Sequence, residues 1–301
     1  MKKFVDICKM TQSEVKSYMA QYLASNKYTV NSQDGFLYAK GEVPVLLVAH
    51  MDTVHKKTPI TIKEVDGKLS SPQGIGGDDR CGIFMIMNII KNLHCSVVLC
   101  EDEEIGGVGA SKFARSEFIN QLDVNYMIEF DRANANDAVF YSCDNKEFTD
   151  FVTDATGFKV AYGSFSDISI IAPAAKVAAV NLSCGYYKAH TTDEYVVYDE
   201  MMDNIKAAEA LIKTECDEFE YVVRKAYSWP SYNYTSSQSS AYRLPSASSK
   251  LDIEIEVVFM KDDDTEDVGY GRGRTKAEAW LDFFETYDDV CYAQIIDYSF
   301  C

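Results

Sequence analysis

Four acidic side chains stand in a row in "CEDEEIGGVGA" (residues 100–110), directly after the apolar run "SVVL" and just ahead of two glycines. Carboxylates crowded in this way oppose one another's ionisation, so the segment calls for a compensating positive charge. Acid and imidazole recur elsewhere: His50 and Asp52 in "AHMDT", Asp78 and Asp79 in "GIGGDDRCG", Glu129 and Asp131 in "IEFDRAN", and His190 in "YYKAHTTDEYV". Taken singly, each has an ordinary explanation. An Asp pair ahead of a helix caps it and favours its dipole, consecutive glutamates are a solvated surface, and a lone histidine is a hydrogen-bonded structural residue. Taken together, two histidines and three or four carboxylates are the donor set that two neighbouring divalent cations require, and zinc accepts it. Metals paired about 3.5–4 Å apart are a recurring hydrolytic device. The residues themselves leave Glu103 interchangeable with Glu104, and Asp131 with Glu129.

These segments fall where strands end. "VPVLLVAH" (43–50) is a continuous apolar run closing in polar residues, the pattern of a buried strand with an exposed carboxyl end. Helical "RCGIFMIMNIIKNL" (80–93) precedes strand "SVVLC" (96–100), and helical "GASKFARSEF" precedes strand "VNYMIEF" (124–130). "AKVAAVNL" (175–182) precedes a helix near 199–214. Upstream, Val15, Met19, Tyr22 and Leu23 share one face of a helix over 11–25 that starts at Thr11/Ser13, and short strands follow at "YTV" and "FLYAK". The alternation predicts an α/β fold, a three-layer α/β/α sandwich with a mixed, mostly parallel central sheet. Ligands of open α/β sheets sit at the carboxyl ends of the strands. Four separate connections would therefore deliver acid or imidazole to one edge.

The pattern changes near residue 228. "SWPSYNYTSSQSSAYRLPSASSK" (228–250) lacks apolar periodicity and reads as a Ser/Tyr-rich linker or loop. Beyond it, "LDIEIEVVFM", "GYGRGR", "TKAEAWLDFFETY" and "CYAQIIDYSF" read as a small α+β (ββαβ) unit over 251–301. "GYGRGRTKAEAW" has a faint likeness to a strand-to-helix step of double-stranded-RNA-binding domains, but 14 Asp/Glu against 4 Lys/Arg in 251–301 make phosphate an improbable ligand. A docking or oligomerisation module suits that composition better.

Composition bounds the rest. With 301 residues, 47% of them hydrophobic, the chain can bury a sizeable core. A formal net charge of −18 speaks against nucleic acid and anionic membrane as partners and is compatible with cations. The nine cysteines form no CxxC pair, so neither a disulfide framework nor a structural zinc site is signalled. No apolar run approaches the roughly 18 residues of a membrane span, and "MKKFVDICKM" lacks the apolar stretch of a signal peptide, so a cytoplasmic address is expected.

"AHMDT", "GGDDRCG", "DEEIGGVGA", "EFD" and "HTTDEYV" occur in the order and context of the co-catalytic dizinc exopeptidases, the superfamily of peptidase T and the leucyl and glutamyl aminopeptidases. The chain resembles that group over roughly residues 40–215, and "GSFSDISI" (163–170) is similar to its glycine-rich segment with a buried Asp. The resemblance implies a dizinc peptidase-like catalytic domain over 1–227. His50 would bind one metal, His190 the other, Asp78 both, with Glu104 and Asp131 completing one shell each. Asp52 would orient a ligand from behind, and Glu103 would act as general base and acid. Arg80 and Arg132, each following a proposed metal-site acid, would balance charge or touch substrate; His55 and His94 match no motif and read as structural or solvated. The chain departs from its lidded relatives: 59 residues separate Asp131 from His190 and 28 separate His50 from Asp78, leaving no room for an inserted domain.

The expectation is thus a metal-dependent exopeptidase, an aminopeptidase first, using two zinc ions (or cobalt or manganese) on short peptides or small amides, with a homo-oligomer compatible with the sequence. Two alternatives stand beside it. One is an amidohydrolase, deacylase or carboxypeptidase acting on N-acyl or dipeptide substrates. The other, of a different class, is a metal- or partner-binding protein without turnover.

Overall fold

The apolar run ending in His50 forms the centre of the sheet. A computed structural model of the chain describes residues 1–223, 253–261, 266–273, 283, 286 and 290–300. The chain divides into two units, Met1–Tyr227 and Ser228–Cys301. The first opens with helices α1 (Lys2–Cys8) and α2 (Gln12–Ser25) and a hairpin of β1 (Val30–Gln33) and β2 (Phe36–Ala39). Next come β3 (Val43–His50), β4 (Lys63–Val65), β5 (Lys68–Ser70), α3 (Gly77–Ile89), β6 (Cys95–Cys100), α4 (Val108–Ala114) and β7 (Tyr126–Arg132). β8 (Asp137–Val139), α5 (Lys146–Thr156), β9 (Lys159–Ala161), α6 (Ile168–Ala175) and β10 (Ala179–Ser183) follow. The unit closes with β11 (Tyr186–Tyr187), β12 (Tyr195–Val197) and α7 (Tyr198–Lys213).

Eight strands form one sheet in the order β1-β2-β6-β3-β7-β10-β8-β9. The central strands β6, β3, β7 and β10 are mutually parallel, β2 and β8 join their two edges antiparallel, and β9 pairs parallel with β8. Side chains alternate across this sheet with period two. Val45, Leu47 and Ala49 of β3 pack into a core with residues of α1, α2, α3, α5 and α7, whereas Leu46 and Val48 pack toward α4 and α6. Both faces are covered, which is why β3 reads as an unbroken apolar run. A second sheet, β11-β12-β5-β4, lies in the same unit.

Local signals place the helices. Thr11 caps α2 in a capping box: its hydroxyl accepts from the Glu14 N–H, and the Glu14 carboxylate accepts from the Thr11 N–H at 2.8 Å. Val15, Met19 and Leu23 turn inward as expected. Within "AKVAAVNL", Ala175 ends α6, Lys176 adopts a left-handed φ of 63°, and the strand begins at Ala179. Helices α1 and α5 were not anticipated, the first because seven residues are too few to show periodicity.

The second unit, taken by itself, contains an antiparallel sheet of β13 (Ile253–Lys261), β14 (Glu266–Gly273) and β15 (Val290–Phe300) in the order β14-β13-β15. Ile255, Val257 and Phe283 are buried. The expected linker 228–250 lies outside the described residues, as does most of the expected helix 275–287, in which Phe283 and Thr286 are helical. Among the described residues, no helix is long and apolar enough to cross a membrane, and seven cysteines are unpaired, six of them buried.

Candidate active site

Strand register brings the acids and histidines together. His50 ends β3 opposite Cys100, the last residue of β6, so the loop carrying Glu103 and Glu104 starts level with the His50 ring. On the other side of β3, Val48 pairs with Glu129 of β7. The β7–β10 register shifts between Glu129 and Arg132, a bulge that falls on Asp131. Beyond the bulge the Asp131 carboxylate lies 3.4 Å from His50 Nε2, while Glu129 stays fully buried and accepts from the Ser166 hydroxyl. Asp131, rather than Glu129, is thus the acid brought to His50.

Asp78 sits between two groups. Its Oδ1 is 3.0 Å from His50 Nε2, and its Oδ2 is 3.2 Å from Nε2 of His190. Glu104 Oε2 is also 3.3 Å from that nitrogen. Two donor sets therefore share one carboxylate: His50, Asp131 and Asp78 on one side, His190, Glu104 and Asp78 on the other. Glu103 offers an oxygen within 4.8 Å of His50 and Glu104 donor atoms. Asp79 also approaches His50 and Asp131, but its oxygens already accept from the His50 N–H at 3.2 Å and the Gly82 N–H at 2.8 Å. Gly82 permits this packing, since a Cβ there would lie 2.0 Å from the Phe130 carbonyl oxygen.

Asp52 holds three parts of the cluster at once. Its Oδ1 is 3.1 Å from His50 Nδ1 and accepts from the Glu103 N–H at 3.1 Å, and its Oδ2 accepts from the Glu104 N–H at 3.0 Å. A carboxylate on Nδ1 fixes the ring with Nε2 facing the cluster, the usual arrangement behind a ligating histidine. Asp131 is held similarly, by Asn181 Oδ1 on its N–H at 2.9 Å and by the Tyr186 hydroxyl, 3.3 Å from Oδ1.

The electrostatics show a shortage of positive charge. Burial, reinforced by Asp131, Asp167 and Asp78 against the pull of His50, pushes the Glu103 carboxyl up to about 9. Burial and Asp78 raise Asp131 to about 6, and burial raises Asp167 to about 7. Hydrogen bonds to Asp78 and Glu104 lift His190 to about 11. Burial would lower His50, but Asp131, Asp52 and Asp78 more than offset it and hold the ring protonated well above its ordinary range. Burial alone would raise Asp78, yet His190 and His50 keep it well below the usual carboxylate range. Glu104 Oε1 is buried with no hydrogen-bond partner, as are both oxygens of Asp167. Acceptors without donors, and histidines holding protons for want of another cation, fit a site made for divalent ions.

Some residues are placed differently from the sequence reading. Arg80 is 3% exposed, and its guanidinium donates to the main-chain carbonyls of Met51 (2.6 Å), Asp52 (3.2 Å) and Met10 (3.1 Å). It braces the loop after β3, and its Nε is buried without a hydrogen-bond partner. Arg132 pairs with Asp137 at 3.4 Å and stays a quarter exposed. His94 stacks on Tyr28 at the amino end of β6, with ring centroids 3.9 Å apart. His55 is tied to Glu194, at 2.9 Å.

Glu194 was missed. Fully buried, it accepts from the Gly76 N–H at 2.8 Å and the Asp78 N–H at 2.9 Å, anchoring the turn that presents Asp78. Its signal was an acid entering the otherwise apolar run "EYVV". Glu194→Ala strands two buried donors, a cost of about 1–3 kcal/mol each. It is expected to weaken metal affinity about 10–100-fold, as loss of a supporting partner does. Zinc titration of the folded variant checks this; unchanged affinity would mean that the turn holds itself.

No family model and no curated protein sequence matches the chain. Solved structures do resemble it. Aminopeptidase PepT from Bacillus cereus matches with a TM-score of 0.60 at 14% identity, over 70% of this chain and 96% of its own. A tripeptidase from Staphylococcus aureus matches with 0.55 at 13% identity, over 70% and 96%. TET1 peptidase from Pyrococcus horikoshii, described as able to assemble into a tetrahedron or a large octahedral shell, matches with 0.53 at 15% identity, over 70% and 97%. At these identities the likeness is one of fold, and it is the fold that the motifs imply.

Proposed function

We propose that the chain is a metal-dependent exopeptidase, an aminopeptidase that removes single residues from short peptides. The observation that carries this reading is the Asp78 carboxylate, with one oxygen toward His50 and the other toward His190. In this reading His50, Asp131 and Asp78 would hold one divalent cation and His190, Glu104 and Asp78 a second, zinc in the first instance. Bound there, the cations would polarise the scissile carbonyl and acidify a water molecule. Glu103 takes a proton from the attacking water as its oxygen bonds to the carbonyl carbon. It then returns that proton to the leaving nitrogen as the C–N bond breaks. Asp52 keeps the His50 ring and the Glu103–Glu104 main chain in register throughout. Neighbours that are aminopeptidases and a tripeptidase support peptidase chemistry, and the TET1 assemblies support homo-oligomerisation.

The acid-rich surroundings favour a protonated or metal-bound α-amino group over a carboxylate at the reacting end. Unblocked di- and tripeptides and aminoacyl-anilides are therefore the expected substrates. N-acetylation should reduce kcat/KM at least about tenfold, near 1.4 kcal/mol of transition-state binding. Equal or faster turnover of the N-acetylated series would favour the amidohydrolase or carboxypeptidase reading instead.

A further inference from the structure

A cavity of about 770 Å³ adjoins the acid cluster, within the size range of small-molecule sites. Asp52, Asp102 and Glu104 line it, together with Met10, Gln12 and the loop 53–59 that leaves β3. That loop contributes Lys56 and Lys57, both exposed. The other cationic side chains of the lining are engaged: Arg80 on main-chain carbonyls and His55 on Glu194. Neither lysine makes an ion pair among the described residues, although Lys16, Lys112 and Lys146 each hold a carboxylate. Two lysines without an ion pair among the described residues thus line the same cavity as Asp52, Asp102 and Glu104.

We propose that Lys56 and Lys57 form a subsite for the α-carboxylate at the C-terminus of the substrate, so that the cavity favours peptides with both ends free. This rests on the aminopeptidase reading and adds to it the substrate class. A zwitterionic peptide carries the complementary pattern, an ammonium for the acids and a carboxylate for the lysines. A lysine is a point charge on a flexible stem, without the fixed fork of arginine, so the subsite tolerates a one-residue change in peptide length.

The test compares trialanine with trialanine amide on the zinc-loaded full chain. The free acid should be preferred by about tenfold in kcat/KM, the scale of two partly exposed charge pairs. In Lys56→Ala/Lys57→Ala the ratio should fall to about one, and in Lys56→Arg/Lys57→Arg it should persist. Binding measured by calorimetry on Glu103→Gln should show the same preference in Kd, and adding the two alanine substitutions should remove it. A parent that cleaves both peptides equally, or an alanine variant that keeps the preference, overturns the subsite and leaves the aminopeptidase reading standing. A parent that cleaves neither peptide overturns both.

Discussion

Glu103→Gln is expected to lower kcat by about 10²–10⁴-fold, the usual worth of a positioned proton shuttle, with metal content close to that of the parent. Glutamine keeps the size of the side chain but cannot carry a proton from water to the leaving nitrogen. The prediction is specific because two adjacent glutamates occupy different places. Glu104 Oε2 lies 3.3 Å from His190 Nε2, whereas Glu103 makes no ion pair with either histidine and offers an oxygen within 4.8 Å of His50 and Glu104 donor atoms. Glu104→Gln should therefore lower metal occupancy. Steady-state kinetics and elemental analysis on both variants decide the matter, and the reverse pattern would exchange the two roles.

Chelation should abolish turnover altogether, and zinc, cobalt or manganese should restore it. The dependence should be steeper at low pH. His50 and His190 are held protonated by their acidic neighbours, and each must release its proton to bind a cation, so apparent affinity rises with pH. Activity that survives exhaustive chelation would remove the cations from the reaction.

Much of this was legible in the sequence because apolar runs and their polar ends are one-dimensional signals. β3 and β6 announce themselves as unbroken apolar segments, the first ending on His50 and the second directly before the acids at 101–104. The choice between Glu129 and Asp131 was not legible, because both lie on alternate positions of one strand and only the bulge against β10 separates them. Glu194 was hidden for a different reason. Its partners are the main-chain N–H groups of Gly76 and Asp78, more than a hundred residues away, and main-chain donors leave no mark on a sequence. The bracing role of Arg80 was hidden likewise, since the partners of its guanidinium are carbonyls of Met10, Met51 and Asp52. Lys56 and Lys57 belong to no motif, and only the cavity gives them a common purpose.

The shared carboxylate of Asp78 is the centre of the account, and metal stoichiometry tests it most directly. Elemental analysis of the zinc-loaded, gently desalted full chain should give two ions per chain, and Asp78→Ala, which removes an oxygen from both donor sets, should reduce the number to about zero. No more than one ion per parent chain, or two ions retained by Asp78→Ala, would contradict a site in which Asp78 joins two cations.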